Sequence, residues 1–192
     1  MLVRQLVAPV AGPALGVFGL GAAWLAGPWS PLAMDAANAR YVAGDLAGAV
    51  SAYEAVGEGW HTPGTRADAW RRAARIRRTR GDARGAVRAL EHATTLAPSS
   101  TLRAEIFDEL ASLYLDRLHE PRAAAEAFEA AAVEGGGGHD DLLAAAAWQS
   151  AGETARAEDA LTRAAADPAT WEEAELALAT LQLHAGAMDG AE

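Results

Sequence analysis

Helical periodicity dominates the pattern of hydrophobic and polar positions along the chain. Phe107, Leu110, Ala111 and Tyr114 fall at i, i+3, i+4 and i+7, which is one face of a helix. No stretch alternates Val, Ile or Thr with polar residues, as a half-buried strand would. Alanine, the strongest helix former, supplies much of the 51% apolar fraction. The pattern therefore predicts an all-α protein.

One stretch, from Ala67 to Pro98, shows the unit that the rest of the chain repeats. Trp70 lies near its start, the turn signal Gly81-Asp82 lies in its middle, and a proline closes it. A small–large–small pattern marks its second half, at Ala86, Leu90 and Ala93. The stretch therefore predicts two short amphipathic helices joined by a tight turn.

The same marks return at a nearly constant period. The turn glycines Gly152 and Gly186 lie 34 residues apart, and Gly44 lies 37 residues before Gly81. We predict units at about 33–62, 67–100, 104–134, 139–170 and 171–192, the last of them incomplete. The chain thus resembles an array of tetratricopeptide repeats, which are 34-residue helix–turn–helix units. That resemblance implies a right-handed solenoid of antiparallel helix pairs with a concave binding surface.

An uncharged apolar segment precedes the predicted array. Residues 5–27 contain no charged side chain over 23 positions. About 20 predominantly apolar residues are enough to span a bilayer. Trp24 and Trp29 lie near the C-terminal end of the segment, where interfacial aromatic residues belong. We therefore expect an uncleaved transmembrane helix over residues 5–27, followed by a linker over residues 28–32.

The membrane orientation of this segment is predicted from the few charged residues beside it. Arg4 precedes it, so the positive-inside bias places residues 1–4 in the cytoplasm and the bulk of the chain in the periplasm. Secretion after cleavage of a signal peptide is one alternative, although the apolar core is longer than the usual 7–15 residues or so. A soluble segment, buried or disordered, is another. With the anchor, the chain is similar to the single-span tetratricopeptide proteins of bacterial envelopes.

Composition argues against catalysis and against nucleic-acid binding. The chain has no Cys and all 16 basic residues are Arg, which excludes thiolate and lysine nucleophiles. Its five histidines show no HExxH spacing, and no G-x-S-x-G motif occurs. A net charge of −10 disfavours a phosphate backbone as partner. We therefore expect no enzyme activity, no cofactor, no metal and no nucleic-acid partner.

Charge is distributed unevenly. Residues 1–103 carry 12 Arg and 7 acidic residues, whereas residues 104–192 carry 4 Arg and 19 acidic residues. Nine of the 16 Arg lie between Arg66 and Arg88, within the second predicted unit. In tetratricopeptide arrays the first helix of each unit lines the groove through its second, fifth, ninth and twelfth places. In the second unit the last three of those places are arginines.

The candidate partner-binding residues occupy these groove places. They are Asn38 and Tyr41 in the first unit, Arg71, Arg75 and Arg78 in the second, Glu105 and Asp108 in the third, and Leu142 in the fourth. The predicted groove thus changes from basic to acidic to apolar. Because guanidinium groups bind carboxylates bidentately, we expect a peptide or helix segment of another protein that is acidic near the second unit. The alternative is that the charged side chains only cover alanine-rich helices and keep their heads in water.

The function that the resemblance implies is recognition. We expect a non-catalytic interaction scaffold or adaptor, tethered to the membrane through residues 5–27, that binds a segment of a partner protein in its groove. A stoichiometric structural subunit of a large membrane complex is one alternative. A soluble regulatory module of the same repeats is the other.

Overall fold

The computed structural model describes residues 32–189, and its regular elements in that range are all helical. The helices are α1 (Ala33–Val42), α2 (Leu46–Glu58), α3 (Pro63–Thr79), α4 (Ala83–Leu96), α5 (Ser100–Leu113), α6 (Pro121–Ala131), α7 (Gly138–Ser150), α8 (Thr154–Ala165) and α9 (Trp171–Asp189). Two π-helical turns, Tyr114–Leu118 and Ala132–Gly136, continue α5 and α6. The predicted all-α class is confirmed.

Short turns built around glycine join the helices of the first, second and fourth pairs. Gly44, Gly81 and Gly152 have φ angles of 81°, 83° and 78°. Glycine adopts this left-handed conformation without the steric cost that a Cβ imposes. After the second of these turns, Asp82 Oδ1 accepts a hydrogen bond from the backbone N–H of Gly85 at 2.9 Å and so caps α4. The Gly-Asp pair is therefore both the end of one helix and the start of the next.

The turn of the third unit has a different construction. α5 runs on through the π-helical turn Tyr114–Leu118, and His119 then takes the left-handed conformation, with φ 55°. The N–H of Glu120 closes the turn on the carbonyl oxygen of Tyr114 at 2.9 Å. A wide helical turn followed by a left-handed histidine thus replaces the glycine turn of the other pairs.

The glycine run after α6 is in part an ordered junction and not only the flexible linker that its composition suggests. Gly138 is buried and opens α7, and its N–H donates to Asp167 Oδ2 at 3.0 Å. A Cβ at this position would lie 2.1 Å from Thr170 Oγ1. The absence of a side chain therefore lets the start of α7 pack against the segment that leads into α9.

Two first helices begin earlier than the predicted units at 67 and 104. α3 begins at Pro63, where the Thr62 hydroxyl accepts from the N–H of Thr65. α5 begins at Ser100, where the Ser99 hydroxyl accepts from the N–H of Leu102. Hydroxyl N-caps, and proline in the first turn, are helix-start signals in their own right. These local signals lengthen each helix by one turn beyond the repeat marks.

The hydrophobic core consists of contacts between neighbouring helices, and it forms two clusters. α3 contributes residues to both clusters. Ala69, Ala73 and Ile76 on α3 pack with buried residues of α1 and α2. Trp70 and Ala74, on the adjoining side of α3, pack with α4 and the helices that follow. Each unit therefore stabilises its neighbours, as repeat architectures require.

The segment predicted to span the membrane, residues 5–27, lies outside the described residues, together with residues 1–4 and nearly all of the predicted linker. Between residues 32 and 189 no helix is long and apolar enough to cross a bilayer.

Candidate partner-binding face

Side chains of the first helices of successive units contact each other. Arg72 on α3 donates to Asn38 Oδ1 on α1 at 3.2 Å, and Arg71 on α3 donates to Glu105 on α5 at 3.2 Å. Both pairs join residues that are 34 positions apart, which is one repeat. The exposed side formed by the first helices, α1, α3, α5, α7 and α9, is called the A face below. It carries all eight candidate residues.

Arg71 is engaged within the protein. Its Nη2 lies 2.5 Å from Glu109 Oε1 and its Nη1 lies 3.2 Å from Glu105 Oε2, while its side chain is 20% exposed. The Nε atom is buried and has no hydrogen-bond partner within the described part of the chain. Arg71 therefore links the second unit to the third.

Arg75 and Arg78 differ from Arg71 because both side chains are exposed and unpaired. Among the described residues neither guanidinium has an ion-pair or hydrogen-bond partner. Both border a cavity of about 110 Å³ between α3 and α5. The remaining lining residues are Ala74, Leu90, Glu109 and Leu113. The second unit thus presents two free cations next to a small hollow with buried apolar carbons at its base.

Asp108 on α5 lies near an acidic and a basic residue of α7, the first helix of the fourth unit. Its side chain is half-buried, its Oδ1 is buried without a hydrogen-bond partner among the described residues, and Asp140 and His139 of α7 lie nearby. Desolvation, followed by the charge of Asp140, raises the pKa of Asp108 to about 6. Desolvation also raises the pKa of Asp140, which is only 5% exposed. Burial and the nearby negative charge both favour the protonated form of Asp108.

The candidates of the first unit have different surroundings. Asn38 Oδ1 accepts from the Tyr53 hydroxyl at 2.7 Å as well as from Arg72, so its carbonyl side is occupied. Tyr41 is half exposed and lies at the end of α1, next to the exposed Val42. Tyr41 is therefore the more accessible of the two for a partner.

The fourth and fifth units supply the apolar part of the A face. Leu142 is half-buried and packs against the main core. Leu176 and Leu183 on α9 remain 71% and 73% exposed. The predicted succession from basic to acidic to apolar is thus modified, because Glu105 pairs with Arg71 and Asp108 is half-buried near Asp140. Arg75 and Arg78, which have no partner within residues 32–189, and the exposed leucines of α9 remain available.

Sequence reasoning missed Glu109, which holds Arg71 and borders the cavity. Counted from the predicted start of the third unit at Ala104, it occupies the sixth place, which is not one of the groove places. The repeat period itself carried a signal, because residues one period apart lie side by side across units, as Arg71 and Glu105 do. A third such pair is Arg163 with Glu129. Testing each arginine against acids 34 positions away marks Arg71 as paired with Glu105, which is correct. The same test also pairs Arg75 with Glu109, which instead binds Arg71.

The arrangement offers recognition chemistry. Within residues 32–189 no group of three or more His, Asp or Glu side chains has the geometry of a metal site. The cavity described above is an open hollow between helices, bordered by arginine, alanine, leucine and glutamate side chains. Such surfaces can bind charged and apolar side chains of a peptide.

Comparison with known proteins supports the fold. Two crystal structures of MamA, a protein that contains tetratricopeptide repeats, are similar to this chain. The first has a TM-score of 0.54 and 20% identity, and the alignment covers 83% of this chain and 84% of MamA. The second has a TM-score of 0.53 and 19% identity, with 80% and 86% covered. No protein-family model matches the sequence, and no curated protein matches it. The likeness shows a tetratricopeptide-like helical fold.

Proposed function

We propose that this protein is a non-catalytic interaction scaffold that binds an extended or helical segment of another protein on its A face. The observation that carries the proposal is the pair of exposed arginines, Arg75 and Arg78, which have no partner among the described residues and border a hollow with apolar carbons at its base. Solenoid repeats form extended binding surfaces through the stacking of their units. The tetratricopeptide-like fold supports a protein as partner.

The proposal can be tested by site-specific photo-crosslinking in the full-length chain. A photoreactive amino acid is placed at Ser112 or Ala146 on the A face, and at Arg88 or Asp159 on second helices as matched controls. We expect a discrete crosslinked partner from the A-face positions only. Equal crosslinking from all four positions, or crosslinking from the second helices alone, would contradict binding on the A face.

We further propose that residues 5–27 tether the scaffold to a membrane, with the repeats on the periplasmic side. Support comes from the 23 uncharged residues and from the interfacial tryptophans at their end. The full chain should then pellet with membranes and resist a carbonate wash, whereas a variant with Leu15→Arg and Leu20→Arg should be released. Full-length protein in the soluble fraction would favour a soluble module. Co-purification with neighbours in fixed ratio in mild detergent would favour a structural subunit.

A further inference from the structure

We propose that the cavity between α3 and α5 takes an acidic peptide segment by one aliphatic side chain, with flanking carboxylates on Arg75 and Arg78. This inference rests on the proposed function and names the class of partner. The cavity lies between Arg75 and Arg78 on one side and Glu109 and Leu113 on the other. It will be called the α3–α5 slot.

The two arginines have the geometry of a double carboxylate site. They stand three residues apart on α3, so both project from the same side of the helix, about 5–6 Å apart at Cβ. Each guanidinium is exposed and has no acidic partner among the described residues. A guanidinium with free donors binds a carboxylate through two parallel hydrogen bonds. Two acidic side chains of one extended segment can therefore be held together here.

The acid that lines the slot does not neutralise these arginines because Arg71 holds it. Glu109 Oε1 lies 2.5 Å from Arg71 Nη2. Arg71 also contacts Glu105, which does not line the slot. We therefore assign Arg71 a positioning role: it keeps Glu109 away from Arg75 and Arg78. This differs from direct contact with the partner, which the position of Arg71 in the second unit suggested.

The base of the slot selects for a small apolar group. Leu90, Ala74 and Leu113 are all at most 2% exposed, so they offer carbon surface only where the slot opens. A volume of about 110 Å³ equals three to four waters at about 30 Å³ each. That volume is close to the size of one aliphatic side chain such as leucine or isoleucine. Burial of such a side chain would add to the ionic contacts.

An acidic peptide fits better than a phosphate backbone. The chain as a whole has a net charge of −10, and the half that begins just after the start of α5 is the more acidic one. A polyanion with a charge at every step would be repelled on leaving the two arginines. A segment with a few carboxylates around one leucine would meet the slot and then pass over apolar residues such as Leu142.

The test uses synthetic fluorescein-labelled peptides and the full-length protein in detergent. The first peptide has a leucine between two Asp-Glu pairs, the second replaces the leucine by serine, and the third replaces the acids by Lys and Arg. We expect fluorescence anisotropy to show tightest binding of the first. The serine peptide should bind about tenfold more weakly, and the basic peptide should not bind. Equal binding of the first two would overturn the aliphatic anchor.

Variants locate the site. Arg75→Gln and Arg78→Gln should each weaken the first peptide about tenfold, because each removes a charge-assisted pair. Arg88→Gln is the matched control, since Arg88 is also an exposed arginine but lies on α4 outside the slot. It should change the affinity less than about twofold. A loss in Arg88→Gln as large as in Arg75→Gln would mean that only net charge matters.

The positioning role of Arg71 needs a rescue experiment. Arg71→Gln should weaken peptide binding because Glu109 is then free to turn to Arg75. Adding Glu109→Gln should restore the affinity, whereas adding Glu105→Gln, which changes the net charge equally, should not. Equal rescue by both second substitutions would overturn the positioning role. Thermal melts by circular dichroism check that the variants are folded.

The outcomes separate this inference from the proposed function. Crosslinking from Ser112 that persists unchanged in Arg75→Gln/Arg78→Gln would retain the A face as the binding surface and refute the acidic segment. Absence of A-face crosslinking combined with binding of the first peptide at the slot would refute the wider scaffold proposal and keep the slot as an acidic-peptide site.

Discussion

At the scale of single residues, close approach and burial decide which positions tolerate change. Gly57 on α2 and Trp70 on α3 show this most directly. A Cβ at Gly57 would lie 2.4 Å from Trp70 Nε1, far inside contact distance. The indole also stacks on His92, with 4.6 Å between ring centroids, so it cannot move away freely. One missing methyl group therefore lets two units pack together.

We expect Gly57→Ala to lower the free energy of unfolding by about 1–3 kcal/mol, because overpacking in a fixed core forces backbone or rotamer shifts. Urea denaturation followed by circular dichroism measures the change. Gly64→Ala is the control, since a Cβ there would lie 3.7 Å from its nearest neighbour, at ordinary contact distance. If Gly57→Ala is as stable as the control, the Trp70 side chain can move to make room for the added methyl group and the prediction is wrong.

Asp108 gives a second residue-scale prediction, on pH. Its folded-state pKa of about 6 lies above the unfolded value of about 3.9, so the folded state binds the proton more tightly. The stability contributed by protonated Asp108 is therefore complete below about pH 4 and is lost as pH rises through 6. We expect Asp108→Asn to stabilise the protein by about 1–2 kcal/mol at pH 8, after allowance for partial exposure, and by little at pH 4.

The measurement is urea denaturation of both proteins between pH 4 and pH 8. The difference in the free energy of unfolding between the two proteins isolates Asp108, because every other titratable group is the same in both. Asp140, His139 and Glu105 face Asp108 and are unchanged in the variant. Asp116→Asn serves as control at an exposed acid in the turn that follows α5. A difference that does not vary with pH would refute the raised pKa.

At the scale of elements, two different turn structures join the helices of a repeat. Three described turns place glycine in the left-handed region, at Gly44, Gly81 and Gly152. The third unit places His119 there instead, at φ 55°. A left-handed non-glycine residue costs about 1–2 kcal/mol. The π-helical turn Tyr114–Leu118 and the bond from Glu120 N–H to Tyr114 hold the strained residue in place.

Relief of that strain should be measurable. We expect His119→Gly to raise the free energy of unfolding by about 0.5–1 kcal/mol, because the steric gain exceeds the entropy that glycine loses on folding. The control is Arg117→Gly, inside the π-helical turn at negative φ, which should lower stability by up to about 1 kcal/mol. Equal losses in both variants would show that the His119 side chain contributes more than its backbone costs.

At the scale of the whole molecule, contacts between neighbours replace a single central core. α3 packs on α1 and α2 through one side and on α4 through another. α9 packs on the core through Ala177, Leu178 and Leu181 and leaves Leu176 and Leu183 exposed. Stability in such an array is a sum over neighbouring interfaces. It should therefore vary along the described chain.

Native-state hydrogen exchange tests this variation. Within residues 32–189, we expect amides of α9 to exchange faster than those of α5 and α7, which are packed on both sides. Peptide-resolved mass spectrometry gives the comparison, and the full-length chain in detergent is the sample. Addition of the leucine-containing acidic peptide should slow exchange in α3 and α5 only. Equal protection of all helices would indicate one cooperative unit.

The sequence by itself determined the helical class and the glycine turns at Gly44, Gly81 and Gly152. The turn expected at Gly186 is wrong, because α9 continues through that residue as one helix from Trp171 to Asp189. Helical spacing of apolar residues, glycine at φ near 80° and hydroxyl or carboxylate caps act within a few residues, so they are legible in the chain. The sequence also indicated which residues belong to the A face, because equivalent positions of successive repeats lie on the same side of the array. The bounds of α3 and α5 departed from the repeat marks where Thr62 and Ser99 supplied local start signals.

Only the tertiary structure decided which charges on the A face are available. Arg71, Arg75 and Arg78 are one stripe in the sequence, and each carries the same charge. Their surroundings differ because Glu109, on another helix, lies against Arg71 and not against the other two. Ion pairing depends on distances of a few ångströms between helices, which helical spacing along one chain segment does not contain. The packing of α3 against α5 therefore divides the predicted basic stripe into one arginine that joins two units and two arginines that have no partner in the described part of the chain.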